Sequence, residues 1–167
     1  MNHIEIIKDQ TRRSIWSLKN VINCIADEDW TKLYCEMPFW KHVYHALHSL
    51  DMWYINPFRY AEPDFHVANL NNLDIQTEKQ LTRANIMAYL ERVSDKITAY
   101  IDSLSDETLS EKPPDCEYTR FQLILAQHRH LDMHIGMMMG FIIANRGEWP
   151  RIMGLQSEFS DTEPLFF

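Results

Sequence analysis

Glycine is scarce in this chain, at 4 of 167 residues. A turn-rich β sandwich draws on glycine throughout, so the scarcity favours long helices joined by few connections. Cysteine is equally sparse. Cys24, Cys35 and Cys116 form no C-x-x-C pair, which argues against a disulfide framework and for a reducing compartment. Basic residues are outnumbered, 16 Lys and Arg against 24 Asp and Glu, for a formal net charge of −8. Only Lys8, Arg12, Arg13 and Lys19 gather in one segment. Nucleic acid is held chiefly by clustered cations on phosphates, so no nucleic-acid partner is expected. No apolar run approaches the ~18 residues that a membrane span requires. The N-terminal MNHIEIIKDQTRR is charged throughout, unlike a signal peptide. The expectation is a cytoplasmic protein without a membrane partner. Also missing are a Gly-rich phosphate loop and any Ser or Cys triad readable from spacing.

What is present is helical periodicity. Hydrophobic residues make up 46% and charged residues 24%, the balance of a globular protein, and the length suits a single domain over 1–167. Ile4, Ile7, Ile15, Leu18, Ile22 and Ile25 recur mostly at three- and four-residue steps, predicting a first helix over Ile4–Ile25 that ends at the acidic Asp27-Glu28-Asp29 run. A second helix, apolar on most sides, is expected from near Pro38 to near Tyr54, before the Asn56-Pro57 turn signal. Residues 55–81 carry no long period and read as a loop. It is either a functional lid or a cover that packs Phe58, Tyr60 and Phe65 over a helix end. Ile86, Leu90, Val93, Ile97, Ile101 and Leu104 predict a third helix from about Arg83 to Leu104, with Thr82 as N-cap. A fourth follows Thr119 and runs through Asn145, with Gly147 as its stop. The core helices thus occupy about 4–147, and the partly apolar tail 148–167 has no assignment. Four long helices make an all-α, four-helix bundle.

Histidine is concentrated. His42, His45 and His48 fall in the second helix, and His128, His130 and His134 in the fourth; His3 and His66 lie elsewhere. His130 and His134, four apart, project from one helix face and can share an ion at about 2.0–2.1 Å each. Helix two offers His45 and His48 on one side, opposite Val43, Leu47, Leu50 and Tyr54. Any one of these histidines alone reads as a surface residue or a hydrogen-bonded core residue. Together they read as a metal site, because a histidine stripe in an apolar helix needs partners. The pair reads His130-Leu-Asp-Met-His134, so it lacks the Glu of the zinc-protease motif, and no Glu-x-x-His of a di-iron bundle occurs. A mononuclear, three-histidine site follows, with positions open for water or substrate.

The stretches FWKHVYHALHSLDMWY and QHRHLDMHIGMM resemble the DinB-like metal-binding four-helix bundles, related to bacillithiol- and mycothiol-dependent transferases. Carried onto this chain, the resemblance implies metal ligands His48, His130 and His134, with His45 the competitor for His48. It implies zinc or nickel as the ion, a homodimer, and transfer of a low-molecular-weight thiol to a small electrophile beneath the 55–81 loop. Asp51 would support a ligand or be plain surface polarity, and Met137 stands where many relatives have Gln. The alternatives are metal-dependent hydrolysis or isomerisation, or a metal-binding or dimerising bundle without turnover. In the last, a fourth ligand such as His128 or His66 would close the site, and the Met-rich run Met133, Met137, Met138 and Met139 could form a partner surface. The three cysteines are taken as inert, and Trp53 could line the site.

Overall fold

The computed structural model describes residues 2–159 and 165–167. Four long helices dominate it: α1 (His3–Cys24), α2 (Phe39–Trp53), α3 (Arg83–Asp102) and α4 (Arg120–Arg146). Both α1 and α2 pack on α3 and α4, so α1 and α2 stand diagonally across the bundle. This is an all-α four-helix bundle. One apolar cluster runs through it, including Leu18, Ile22, Val43, Leu47, Ile86, Ile97, Ile124 and Met138. Burying a side chain such as Leu47 completely contributes about 1.5–3 kcal/mol.

The helix ends follow local chemistry. Thr82 accepts from the Asn85 N–H while the Asn85 side chain accepts from the Thr82 N–H, closing a capping box at α3. Thr119 and Gln122 repeat the device at α4. Gly147, at φ 71°, ends α4 in the left-handed conformation that only glycine adopts without a steric cost. The start of α1 is capped from across the chain. The Asp106 carboxylate accepts from the N–H groups of His3 at 3.0 Å and Ile4 at 2.8 Å, and these bonds hold its carboxyl below the ordinary range.

The connection from α1 to α2 holds more than the acidic stop. A 3₁₀ turn at Asp27–Asp29 precedes a small antiparallel hairpin, β1 (Leu33–Tyr34) and β2 (Met37–Pro38). Its two-residue turn places Cys35 and Glu36 at φ 47° and 68°, the backbone that matches strand twist in tight hairpins. The tail lies along α1. The Asn20 side chain donates to the carbonyls of Arg151 and Leu165, and the Met153 N–H donates to Ser17 Oγ at 3.0 Å. The Arg12 guanidinium covers the Phe159 ring at 4.4 Å. Part of the tail expected at 148–167 lies outside the described residues.

Residues 55–81 hold one 3₁₀ turn, Pro57–Arg59, and otherwise extended and turning backbone. The segment is packed on the bundle: Leu70 and Leu81 are buried, Tyr60 and Phe65 are half-buried, and Phe58 stays exposed. None of the described helices is long and apolar enough to cross a membrane.

Candidate metal centre

The facing surfaces of α2 and α4 bring three imidazoles together. One ring nitrogen from each of His45, His130 and His134 lies within 4.8 Å of the others. His130 Nε2 and His134 Nε2 face each other at 3.1 Å. Two nitrogens bound to one tetrahedral zinc at about 2.0–2.1 Å stand roughly 3.3 Å apart, so the pair already has the spacing of co-ligands. The His45 ring approaches them with centroids 4.8 Å from His134 and 5.5 Å from His130. Its Nδ1–H donates to the Asn71 carbonyl at 2.7 Å. That bond fixes the tautomer and leaves the lone pair on Nε2, the usual way a ligand histidine is oriented.

Electrostatics keeps these rings in the form a metal requires. Burial, reinforced by the neighbouring imidazoles of His130, His45 and His42, lowers His134 to about 4. Burial and His45 lower His130 as well. Both are therefore neutral at neutral pH, and a neutral imidazole is the ligand form. Without an ion, a single N–H···N bond serves both Nε2 atoms; His130 Nδ1, the other nitrogen of that ring, is buried without a hydrogen-bond partner among the described residues. Three neutral imidazoles at co-ligand spacing would offer their lone pairs to one divalent cation, so the donor set fits one.

His48, placed with His130 and His134 by the resemblance, is taken elsewhere. Three residues along an α-helix is about 300° of rotation, which turns its ring some 60° away from that of His45. His45 consequently faces α4, while His48 faces the 55–81 segment, where its Nε2 lies 2.7 Å from Glu62 Oε2. The two fourth-ligand candidates are also occupied. His128 Nε2 pairs with Thr11 Oγ1 at 2.9 Å, and His66 Nδ1 pairs with the Tyr44 hydroxyl at 2.7 Å. The α2–α4 group thus has three histidines, with His45 and His130 only half-buried.

Asp51 does not face solvent. It is buried, and its Oδ2 accepts from the Tyr89 hydroxyl at 2.8 Å and the Tyr60 hydroxyl at 3.3 Å, while Oδ1 accepts from Lys96 Nζ at 2.5 Å. Asp51 and Tyr60 line a cavity of about 500 Å³, together with Ile55, Arg59, Lys96 and Arg120. The three α2–α4 histidines do not line it. Cys24 is no nucleophile, since burial pushes its thiol up to about 11. Trp53 is partly exposed at the end of α2.

Sequence reasoning gave no role to Asn71 or Glu62. Only the spacing of Glu62-x-x-x-His66 hinted at a pair, in a segment without periodicity to orient it.

Among known families, the profile described as the DinB superfamily matches residues 9–138. No curated protein and no solved structure matches the chain. The match begins within α1, spans α2 and α3, and extends through most of α4, past both histidines that α4 contributes. This chain therefore belongs to the DinB superfamily.

Proposed function

We propose that the protein binds one divalent transition-metal ion, zinc or nickel, through His45, His130 and His134, and uses it to transfer a low-molecular-weight thiol to a small electrophile. The observation that carries the reading is the facing pair of Nε2 atoms at 3.1 Å, beside a third imidazole whose tautomer a backbone carbonyl fixes. Such an ion supplies stabilisation of a thiolate or hydroxide at neutral pH. The chain supplies the rest. Three protein ligands and two half-buried rings leave one side of the group open to solvent, as in catalytic rather than structural zinc sites.

Metal content by mass spectrometry is the first test. The His130→Ala/His134→Ala protein and the His45→Ala protein are each expected to lose the same single ion per chain. Full content in the double variant overturns the site. With the ion established, the native protein is expected to accelerate conjugation of a small thiol with chlorodinitrobenzene, and the double variant is not. Equal rates in the two proteins with a panel of thiols would leave a metal-binding bundle without this turnover.

A further inference from the structure

A second group of ligand-type side chains begins three residues along α2, about 60° round the helix from His45. His48 comes from the helix, and Glu62 and His66 from the segment that covers it. One ring nitrogen of each histidine and one carboxylate oxygen lie within 4.8 Å of one another. The Glu62 carboxylate is the hub: its Oε2 is 2.7 Å from His48 Nε2 and 3.5 Å from His66 Nδ1. The two rings stack, with centroids 5.0 Å apart and planes 26° from parallel. Asn71 Nδ2 donates to His48 Nδ1 at 3.3 Å, which puts that ring's proton on Nε2, where it is donated to the carboxylate. The Tyr44 hydroxyl lies 2.7 Å from His66 Nδ1, the same nitrogen that faces Glu62, and steadies the ring there.

We propose that His48, Glu62 and His66 form a second divalent-cation site, one that pins the 55–81 segment to α2. Two imidazoles and one carboxylate are the protein ligands of several catalytic zinc sites and of the facial triad that holds ferrous iron. The carboxylate makes this group harder than the three-histidine group, so relative to that group it is better suited to zinc, ferrous iron or manganese. The preorganisation is unequal in a telling way. His48 is 2% exposed, whereas the Glu62 side chain is 47% exposed, so the site has a rigid floor and a door to solvent. To bind an ion through Nε2, His48 would move its proton from Nε2 to Nδ1, so the ring stays neutral with no net proton release, and the Asn71 amide would turn its Oδ1 to accept that proton. No ligand is common to this site and the His45 group, so the ligands of either can be removed without deleting one of the other's.

The test is a titration of the demetallated full chain with Co²⁺, read by its visible absorption and by equilibrium dialysis. The native chain is expected to bind two ions. The Glu62→Gln/His66→Ala chain should bind one, and the His130→Ala/His134→Ala chain should bind the other one. Glu62→Gln alone keeps an acceptor for His48 in the same shape and is the variant least able to disturb folding. It should weaken the second ion by about tenfold or more, at least what loss of an outer-shell partner costs. Cobalt should also slow proteolysis within 55–81 in the His130→Ala/His134→Ala chain. A native chain that binds one ion, lost in the α4 double variant and unchanged by Glu62→Gln/His66→Ala, overturns this proposal and leaves the first site standing. One ion lost only in Glu62→Gln/His66→Ala supports this proposal and removes the first site. Undiminished binding in Glu62→Gln also counts against it.

Discussion

Replacing Asp51 by alanine strips the acceptor from three donors at once, and the cost of each follows from where it sits. The Tyr89 side chain is almost fully buried, and burial raises its hydroxyl well above the usual phenol range, so it remains a donor with a proton to place. Left without Asp51 Oδ2 at 2.8 Å, its nearest alternative is the Tyr60 hydroxyl at 3.5 Å, the outer edge of a hydrogen bond. A buried donor left unsatisfied costs about 1–3 kcal/mol. Tyr60, already 3.3 Å away and half-buried, loses less. Lys96 is 43% exposed and returns to water, so its ion pair contributes little to the loss. The sum is about 3 kcal/mol, a fall in Tm of about 6–12 °C for a chain of this size. Urea unfolding with circular dichroism reads it. Asp51→Asn, which retains an acceptor, should lose about half as much. In a double-mutant cycle with Tyr89→Phe, the two changes should couple by about 1–2 kcal/mol. Neither histidine group contains Asp51, so metal content should not change. A stability loss below about 0.5 kcal/mol would refute this account of a buried hub, and loss of metal would instead make Asp51 a support of the ligands.

Two further outcomes follow from single residues. The lowered pKa of His134 means that the unfolded chain, with the ordinary value of 6.5, binds a proton that the folded chain refuses until about 4. Stability of the metal-free protein in chelator should therefore fall as pH drops from about 6.5 to about 4. The shift is worth about 3 kcal/mol at 1.36 kcal/mol per unit. His134→Gln should flatten that part of the curve, and an unchanged slope would contradict the electrostatics assigned to the site. Gly147→Ala forces a Cβ into the left-handed region at φ 71° and should cost about 1 kcal/mol in the same unfolding assay. A neutral result would mean that the end of α4 frays without consequence.

The helices were legible because their signals are local. The six periodic aliphatics from Ile86 to Leu104 predict α3, which ends two residues earlier at Asp102, and Thr82, Thr119 and Gly147 mark their own ends. The hairpin at Leu33–Pro38 was not legible. Strands of two residues have no period, and its turn puts Cys35 and Glu36, rather than glycine or asparagine, at positive φ. At the site, the pair His130 and His134 could be read from spacing within one helix. The partner on α2 could not, because His45 and His48 lie about 60° apart and only the packing of α2 on α4 decides which of them turns inward. Glu62 and Asn71 lie in a segment whose shape comes from tertiary packing, with Leu70 sunk into the core, and no periodicity announces them.

Asn71 ties the cover of the bundle to both groups of histidines beneath it. Its backbone carbonyl receives the Nδ1 proton of His45, and its side chain reaches Nδ1 of His48. If this stretch of 55–81 swings away, both imidazoles lose the contact that sets which nitrogen carries the proton. Opening of the segment and the tautomers of the two rings are then one equilibrium, and whatever presses the segment down fixes both.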